Sequence, residues 1–276
     1  MPCLIKLLTS NGLSPVDYQA TSLVDAARFE PHEGVYTIAS TFNTFQVLKL
    51  DAHLDRLENS ARLANIPLML DRPRLRAALR QMIAEAKWGS VRFRITVPAD
   101  QPECLLLSIE PFNPPAPEIY SHGVRTVTAP GSARHTPAAK TTDWMHDRRE
   151  VETALPSGIY EGLLLGKTGD ILEGTGSNFY AILHGELRTA GKDVLPGIAQ
   201  QIVFEVAPDV LPLRRDAVNV VDIPTLEEAF ITSSSRGIIP VIAIDGITIG
   251  SGKPGAKTRA LRERYLQWVS EHLEDL

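Results

Sequence analysis

Two cysteines in 276 residues are too few for a disulfide framework. Cys3 and Cys104 also have no zinc-ligand spacing, so both read as reduced packing residues of a cytosolic protein. There is no excess of basic charge either. Lys and Arg total 28 against 33 Asp and Glu, a net charge of −5 that argues against a general nucleic-acid binder. No apolar run reaches the roughly 18 residues that a bilayer-spanning helix needs, so no membrane span is expected. The opening Met-Pro-Cys-Leu-Ile-Lys-Leu-Leu lacks the basic start, long apolar stretch and small-residue cleavage site of a secretory signal. A cytoplasmic location is therefore the expectation.

Several catalytic signatures are missing as well. The seven histidines form no HExxH or similar ligand spacing, so no metal site is expected. There is no Gly-x-Ser-x-Gly elbow of the α/β-hydrolase kind. Gly174-Thr175-Gly176 leads into a strand rather than a helix, and so lacks the context of a dinucleotide fingerprint. The segment Gly250–Thr258 nearly matches a phosphate-binding loop. Its lysine is displaced by one position, however, and Pro254 stiffens it, which sets the nucleotide reading last. No internal repeat or low-complexity segment stands out.

What is present is a soluble globular composition, 43% apolar and 22% charged, in a chain long enough for one large or two ordinary domains. Residues 1–50 read mostly as strand, with 34–42 the clearest and 47–50 its expected hairpin partner. Asp51 is the expected N-cap of a helix to about Asn65, with Arg56 in its second turn. A second helix begins at Asp71, and its arginines form a solvated face. Strict alternation in Val91–Val97 puts Val91, Phe93, Ile95 and Val97 on the buried side, leaving Arg92 and Arg94 on the other. That other face is either wet or offers two guanidiniums to an anionic ligand. Pro111-Phe112-Asn113-Pro114-Pro115-Ala116-Pro117 reads as a linker. The division expected is a small N-terminal domain (1–112), a linker (113–120) and a larger C-terminal domain (121–276).

In the second half, Asp143 is the expected cap of a helix bearing Trp144, Val151 and Leu155. Leu163–Leu165 with Ile171–Glu173, and Phe179–Leu183 with Glu186–Thr189, read as hairpins. Pro196 fits the first position of a helix carrying Ile198, Ile202, Val203 and Val206. A short helix near 225–228 precedes the strand Ala229–Thr232, and Val241–Ile249 reads as a hairpin turning at Asp245-Gly246. Glu173-Gly174-Thr175-Gly176-Ser177-Asn178-Phe179 is the stretch around which the rest is organised. It sets a carboxylate at a strand end beside a glycine-rich bend, where backbone can approach a ligand closely. Taken alone, it is equally a turn. Lysine is scarce, and of the eight lysines Lys140 alone follows a small-residue, apolar stretch and immediately precedes a helix.

Seven stretches together, in order across nearly the whole chain, resemble the fold-type IV pyridoxal-phosphate (PLP) enzymes. They are Gly34-Val35-Tyr36; Leu50-Asp51-Ala52-His53-Leu54-Asp55-Arg56-Leu57; Ala139-Lys140; Glu173-Gly174-x-x-Ser177-Asn178-Phe179; Leu195-Pro196-Gly197-Ile198; Phe230-Ile231-Thr232-Ser233; and Ile239-Pro240-Val241. That family includes branched-chain and D-amino-acid aminotransferases, (R)-amine transaminases and 4-amino-4-deoxychorismate lyase. The resemblance implies an α/β (α+β) fold of two domains, with a smaller N-terminal α/β part, a larger β-rich part and PLP in the cleft between them.

It also implies roles. Lys140 would form the Schiff base with PLP and then carry the proton, since a neutral amine is nucleophilic. Glu173 would face the pyridine nitrogen and keep it protonated. Arg56 would pair with the phosphate, and the amides of Ile198 and Ala199 at a helix start would complete the phosphate cup. Ser177, Asn178 and Ser234 stand at further cofactor-binding positions. Two departures are evident: Ala199 replaces the family's usual Thr, and Met145 stands where branched-chain enzymes have Tyr.

The substrate side is expected to draw on Tyr36, Ile38, Arg92, Arg94, Trp144, Ser235 and Arg236, with an arginine trapping a carboxylate. Val97 stands where D-amino-acid aminotransferases have a carboxylate-binding Arg. The implied reaction is ping-pong transfer of an amino group from an amino acid or amine to a 2-oxo acid, in a homodimer with neither nucleic-acid nor membrane partners. The rivals are aminodeoxychorismate lyase, which uses the same lysine for elimination of pyruvate, and a PLP-binding protein without turnover.

Overall fold

Edge strands expose unpaired backbone groups that another segment can occupy, and in this chain that need draws distant segments together. The computed structural model describes residues 3–132 and 134–276. It consists of two compact units: one comprises the chain to Asn113 with Ala139–His146 and His272–Leu276, the other Pro114–Ala138 with Asp147–Glu271. The first division falls beside the expected boundary. Two simple consecutive domains are not what is observed, because the Lys140 segment and the last residues return to the first unit.

The first unit contains β1 (Leu4–Thr9), β2 (Gly12–Pro15), a short α1 (Leu23–Ala26), β3 (Gly34–Ser40), β4 (Gln46–Leu48), α2 (Leu50–Leu63), α3 (Arg72–Ala86), β5 (Val91–Pro98) and β6 (Leu105–Pro111). Its sheet has the order β2-β1-β6-β5-β3 with every pairing antiparallel. Val91, Phe93, Ile95 and Val97 are fully buried in one core with Leu54 and Leu57 of α2 and Leu75, Leu79 and Met82 of α3, as their alternation predicts. Within Val91–Val97 the opposite face is wet only at Arg92, which is partly exposed. Arg94 and Thr96 bond there to the buried Glu30.

Edge strand β3 takes its outer partner from far along the chain. The N–H of Tyr36 donates to the carbonyl of Lys140 at 2.9 Å, and Val35 bridges to Thr141. The expected hairpin is present only at its turn, where Phe42 and Gln46 exchange both backbone hydrogen bonds at 2.7 and 2.8 Å; beyond it β4 leaves β3. Strand β4 pairs with the C-terminal strand Leu273–Asp275. The N-cap of α2 is Lys49 in a left-handed conformation (φ 48°), not Asp51. Asp51 lies within the first turn and is ion-paired to Arg72 and Arg76. Those arginines of α3 are therefore tied across to α2 rather than merely solvated.

The second unit opens with α4 (Pro117–Ser121), inside the expected linker, and continues through β7 (Val124–Ala129), α5 (Thr142–Thr153, begun in the first unit), β8 (Glu161–Leu165), β9 (Ile171–Gly174), β10 (Asn178–Leu183) and β11 (Glu186–Arg188). Then come α6 (Ile198–Val206), β12 (Leu213–Arg214), a 3-10 turn (Val220–Thr225) where a short helix was expected slightly later, β13 (Glu228–Ser233), β14 (Gly237–Ile244), β15 (Ile247–Thr248) and α7 (Ala256–Glu271); β16 is the C-terminal strand already described. The sheet order is β12-β11-β10-β13-β14-β7-β8-β9, and β9 pairs again with β10 through Asn178 and Glu173. Those two residues thus close β10, β13, β14, β7, β8 and β9 into a ring, with β11, β12 and β15 outside it. Val124, Leu163, Phe179, Ile231, Ile239 and Val241 fill the core. The Asp245-Gly246 hairpin has both residues at positive φ (52° and 80°), as its type of tight turn requires.

Candidate functional site

In the first unit, α2 presents His53, Arg56 and Ser60 at helical spacing, all buried. Ser60 Oγ donates to the carbonyl of Arg56 at 2.8 Å and accepts the N–H of Lys140 at 3.0 Å. Lys140 is thereby held at both backbone groups, by Ser60 through its N–H and by Tyr36 through its carbonyl. Its Nζ lies 4.5 Å from the centre of the Tyr36 ring, a cation–π distance. Thr37 Oγ1 stands 3.0 Å from His53 Nδ1 and 3.4 Å from Arg56 Nη2, linking the histidine to the arginine. Burial, with the charges of Arg56 and Lys140 nearby, holds the His53 pKa well below the ordinary histidine value, so the imidazole is neutral.

Other expected residues of this unit fall nearby or are committed elsewhere. Ile38 packs against Tyr36, Ala27 and Met145, and Trp144 is buried in the first turn of α5. Asp143 is inside that turn rather than its cap. Arg94 is ion-paired to Glu30, with side chains 5% and 0% exposed, so its charge is already met. Arg92 stands 3.6 Å from Glu110 and is partly exposed.

In the second unit the closing pair of the ring sets the geometry. Glu173 Oε1 is 3.1 Å from Arg134 Nε, and Glu173 Oε2 accepts the N–H of Leu195 at 3.2 Å. Asn178 Nδ2 donates to the carbonyl of Leu195 at 2.9 Å. A Cβ on Gly197 would lie 2.0 Å from Asn178 Oδ1, so only glycine allows this approach. Helix α6 begins at Ile198 with Gly197 as an N-cap that makes no side-chain bond, correcting the placement of Pro196 at the first helical position. The first amides, at Ile198 and Ala199, therefore belong to a helix start without a side-chain cap, the arrangement that suits an anion.

Glu161 organises the glycine-rich bend. Its Oε1 accepts the N–H of Gly176 (2.7 Å) and the hydroxyl of Ser177 (2.9 Å), and its Oε2 accepts from Arg236 Nη1 (3.2 Å). Arg236 further donates to Ser233 Oγ, Tyr160 Oη and the carbonyl of Gly176. Ser234 and Ser235 are half-buried turn residues between β13 and β14. The near-match to a phosphate loop is filled from within. Glu228 accepts the N–H groups of Lys257 and Thr258 at the start of α7, at 3.1 and 2.7 Å, where a phosphate would otherwise sit.

A family model, amino-transferase class IV, matches residues 34–244. The chain belongs to this family. It is similar to a Thermotoga maritima protein described as a probable branched-chain-amino-acid aminotransferase, 28% identical over 79% of this chain and 80% of that one. It is also similar to the D-alanine aminotransferase of Bacillus licheniformis, 27% identical over 82% and 84% of the two chains. Among solved structures, the Escherichia coli branched-chain amino acid aminotransferase covers 100% of this chain and 97% of its own at a TM-score of 0.79 and 20% identity. Class IV aminotransferases are PLP enzymes of fold type IV, and this chain is a PLP-dependent transaminase acting on an amino acid and a 2-oxo acid.

The residues present fit that cofactor. Taken unit by unit, the first holds a buried lysine, of the type that condenses with an aldehyde, and a buried arginine, of the type that pairs with a phosphate; the second holds a buried carboxylate and a helix start without a side-chain cap, of the types that suit a ring nitrogen and an anion. Sequence reasoning missed Thr37, Ser60, Arg134 and Glu161 as site residues. Ser60, four residues after Arg56, could have been found from helical spacing. Arg134 and Glu161 carry no such signal, because their partners are distant in sequence.

Proposed function

We propose that Lys140 is the catalytic lysine of this aminotransferase and that Arg56, Glu173, Ser177, Asn178, Ile198, Ala199 and Ser234 hold its cofactor. The observation that carries the reading is the fixing of Lys140 through Ser60 and Tyr36, on the same helix–strand scaffold as Arg56. Bound PLP supplies an aldehyde that condenses with amines and a ring that draws electrons from the carbon bearing the amine. Lys140 Nζ would be the amine that this aldehyde takes up and, when released, the base that accepts the proton from the donor's Cα. Glu173 keeps a proton on the ring nitrogen. Arg56 and the Ile198 and Ala199 amides neutralise the phosphate.

Tyr36, Ile38, Trp144 and Ser235 remain the substrate-side candidates. Arg92, Arg94 and Arg236 each meet a carboxylate of their own protein, at Glu110, Glu30 and Glu161, so the proposal assigns Arg94 and Arg236 to the scaffold and names no arginine for the substrate carboxylate. The relatives' names suggest a branched-chain amino acid or D-alanine as donor; 2-oxoglutarate or pyruvate as acceptor and a cytoplasmic homodimer complete the proposal. Borohydride reduction followed by peptide mapping tests the core of this: label on Lys140 is expected, and label on any other lysine would sink the assignment. A donor screen with L-leucine, L-glutamate, D-alanine and (R)-1-phenylethylamine, read by loss of the long-wavelength absorbance, then assigns the substrate. Pyruvate release from aminodeoxychorismate without an acceptor would assign the lyase instead.

A further inference from the structure

We propose that Arg134 is a positioning residue for Glu173, holding that carboxylate ionised and aimed for the cofactor's ring nitrogen. The inference rests on the role proposed for Glu173. It comes from three observations in the second unit. The Arg134 and Glu173 side chains are 4% and 3% exposed, and Nε stands 3.1 Å from Oε1. The other oxygen, Oε2, is held by the Leu195 N–H. The Glu173 backbone is pinned on both sides, by pairing with Leu164 of β8 and with Asn178 of β10.

The chemistry follows from burial. A carboxylate withdrawn from water tends to take up a proton unless a cation or hydrogen bonds favour its charged form. A protonated Glu173 could not hold a second proton on a ring nitrogen. A neutral amide N–H, such as that of Leu195, gives direction but only part of the compensation. A guanidinium beside the carboxylate supplies a full positive charge. Arg134 lies six residues before Lys140 in the sequence. The segment that ends in the catalytic lysine thus also supplies the counter-ion of the residue on which the ring's electron withdrawal depends.

The test uses the intact enzyme with PLP and four variants: R134M, R134K, E173Q and the double R134M/E173Q. Two readouts beside turnover are taken, PLP dissociation by equilibrium dialysis and the pH titration of the bound cofactor's absorbance. R134M is expected to weaken PLP retention about ten-fold or more and to displace the titration, with R134K restoring a substantial part of both. In the E173Q background R134M should add little, because coupled residues are not additive. If R134M retains and titrates PLP as the wild type does while E173Q does not, the role of Arg134 is wrong and that of Glu173 stands. If E173Q itself leaves the titration unchanged, both fall. Where R134M does not fold, R134K is read alone, with an intermediate displacement expected and wild-type behaviour overturning the proposal.

Discussion

Glu274 Oε1 accepts the backbone N–H of Leu50, the first residue of α2, at 3.0 Å. The bond joins the last strand of the chain to the helix that carries His53, Arg56 and Ser60. A helix start leaves four N–H groups without intrahelical partners, and Lys49, in its left-handed conformation, makes no side-chain cap bond. The carboxylate substitutes for a local cap and favours the positive end of the helix dipole. E274A is expected to cost about 1 kcal/mol of stability, the usual size of a lost N-cap, seen as a lower urea midpoint at unchanged slope. E274Q keeps an acceptor and should cost less; equal losses would show that the bond contributes nothing through its geometry.

This cap illustrates what the sequence could and could not disclose. Val91–Val97 was legible because alternation is a local property of the chain, and all four inward residues are buried. The hairpins at His184-Gly185 and Asp245-Gly246 were legible because their turn residues adopt positive φ. The N-cap at Asp51 was misplaced because the group that caps the helix comes from residue 274. The hairpin into β4 was legible only at its turn, because the strand that pairs along β4 comes from residues 273–275. Lys140 and Glu173 stood out as residue types in short patterns, and Ser60 carries a helical-spacing signal after Arg56, whereas Arg134 and Glu161 matter through pairings that no short window contains.

Gly197→Ala should damage both stability and phosphate binding. The added methyl would meet Asn178 Oδ1 at 2.0 Å, well inside contact distance, so either the Asn178 side chain or the start of α6 must shift. Overpacking of this kind costs about 1–3 kcal/mol. Because the Ile198 and Ala199 amides move with the helix start, PLP affinity should fall further than stability alone explains. Isothermal titration with PLP beside a urea titration separates the two. Unchanged affinity in a destabilised variant would remove the α6 start from the phosphate site.

The buried, neutral His53 gives a pH dependence of defined sign. Its folded-state pKa lies well below the ordinary value of 6.5, because burial and the nearby charges of Arg56 and Lys140 disfavour the imidazolium. The unfolded chain binds this proton near pH 6.5 and the folded one does not. His53 therefore costs nothing above pH 6.5, and stability is lost as pH falls below it toward the folded pKa, by up to about 1.4 kcal/mol per pH unit. Urea midpoints measured between pH 5 and 8 should fall on the acid side in the wild type. H53N, which cannot take up the proton, should flatten that slope, and an equal slope in both proteins would show that His53 is not its source.

Arg236 decides between scaffold and substrate. Its guanidinium bonds to Glu161, Tyr160, Ser233 and Gly176, and Glu161 in turn holds Gly176 and Ser177 in the bend between Glu173 and Asn178, the residues proposed to hold the cofactor. Removing one partner of a buried pair costs about 3–5 kcal/mol. The lower end applies here because the Arg236 side chain is 24% exposed. R236M should accordingly lower stability and weaken PLP retention, while changing KM for a carboxylate-bearing donor and for a simple amine by similar factors. A substrate trap behaves oppositely, with stability near wild type and KM raised only for the donor that carries a carboxylate. Steady-state kinetics with L-leucine and (R)-1-phenylethylamine, alongside a urea titration, distinguish the two outcomes in one variant.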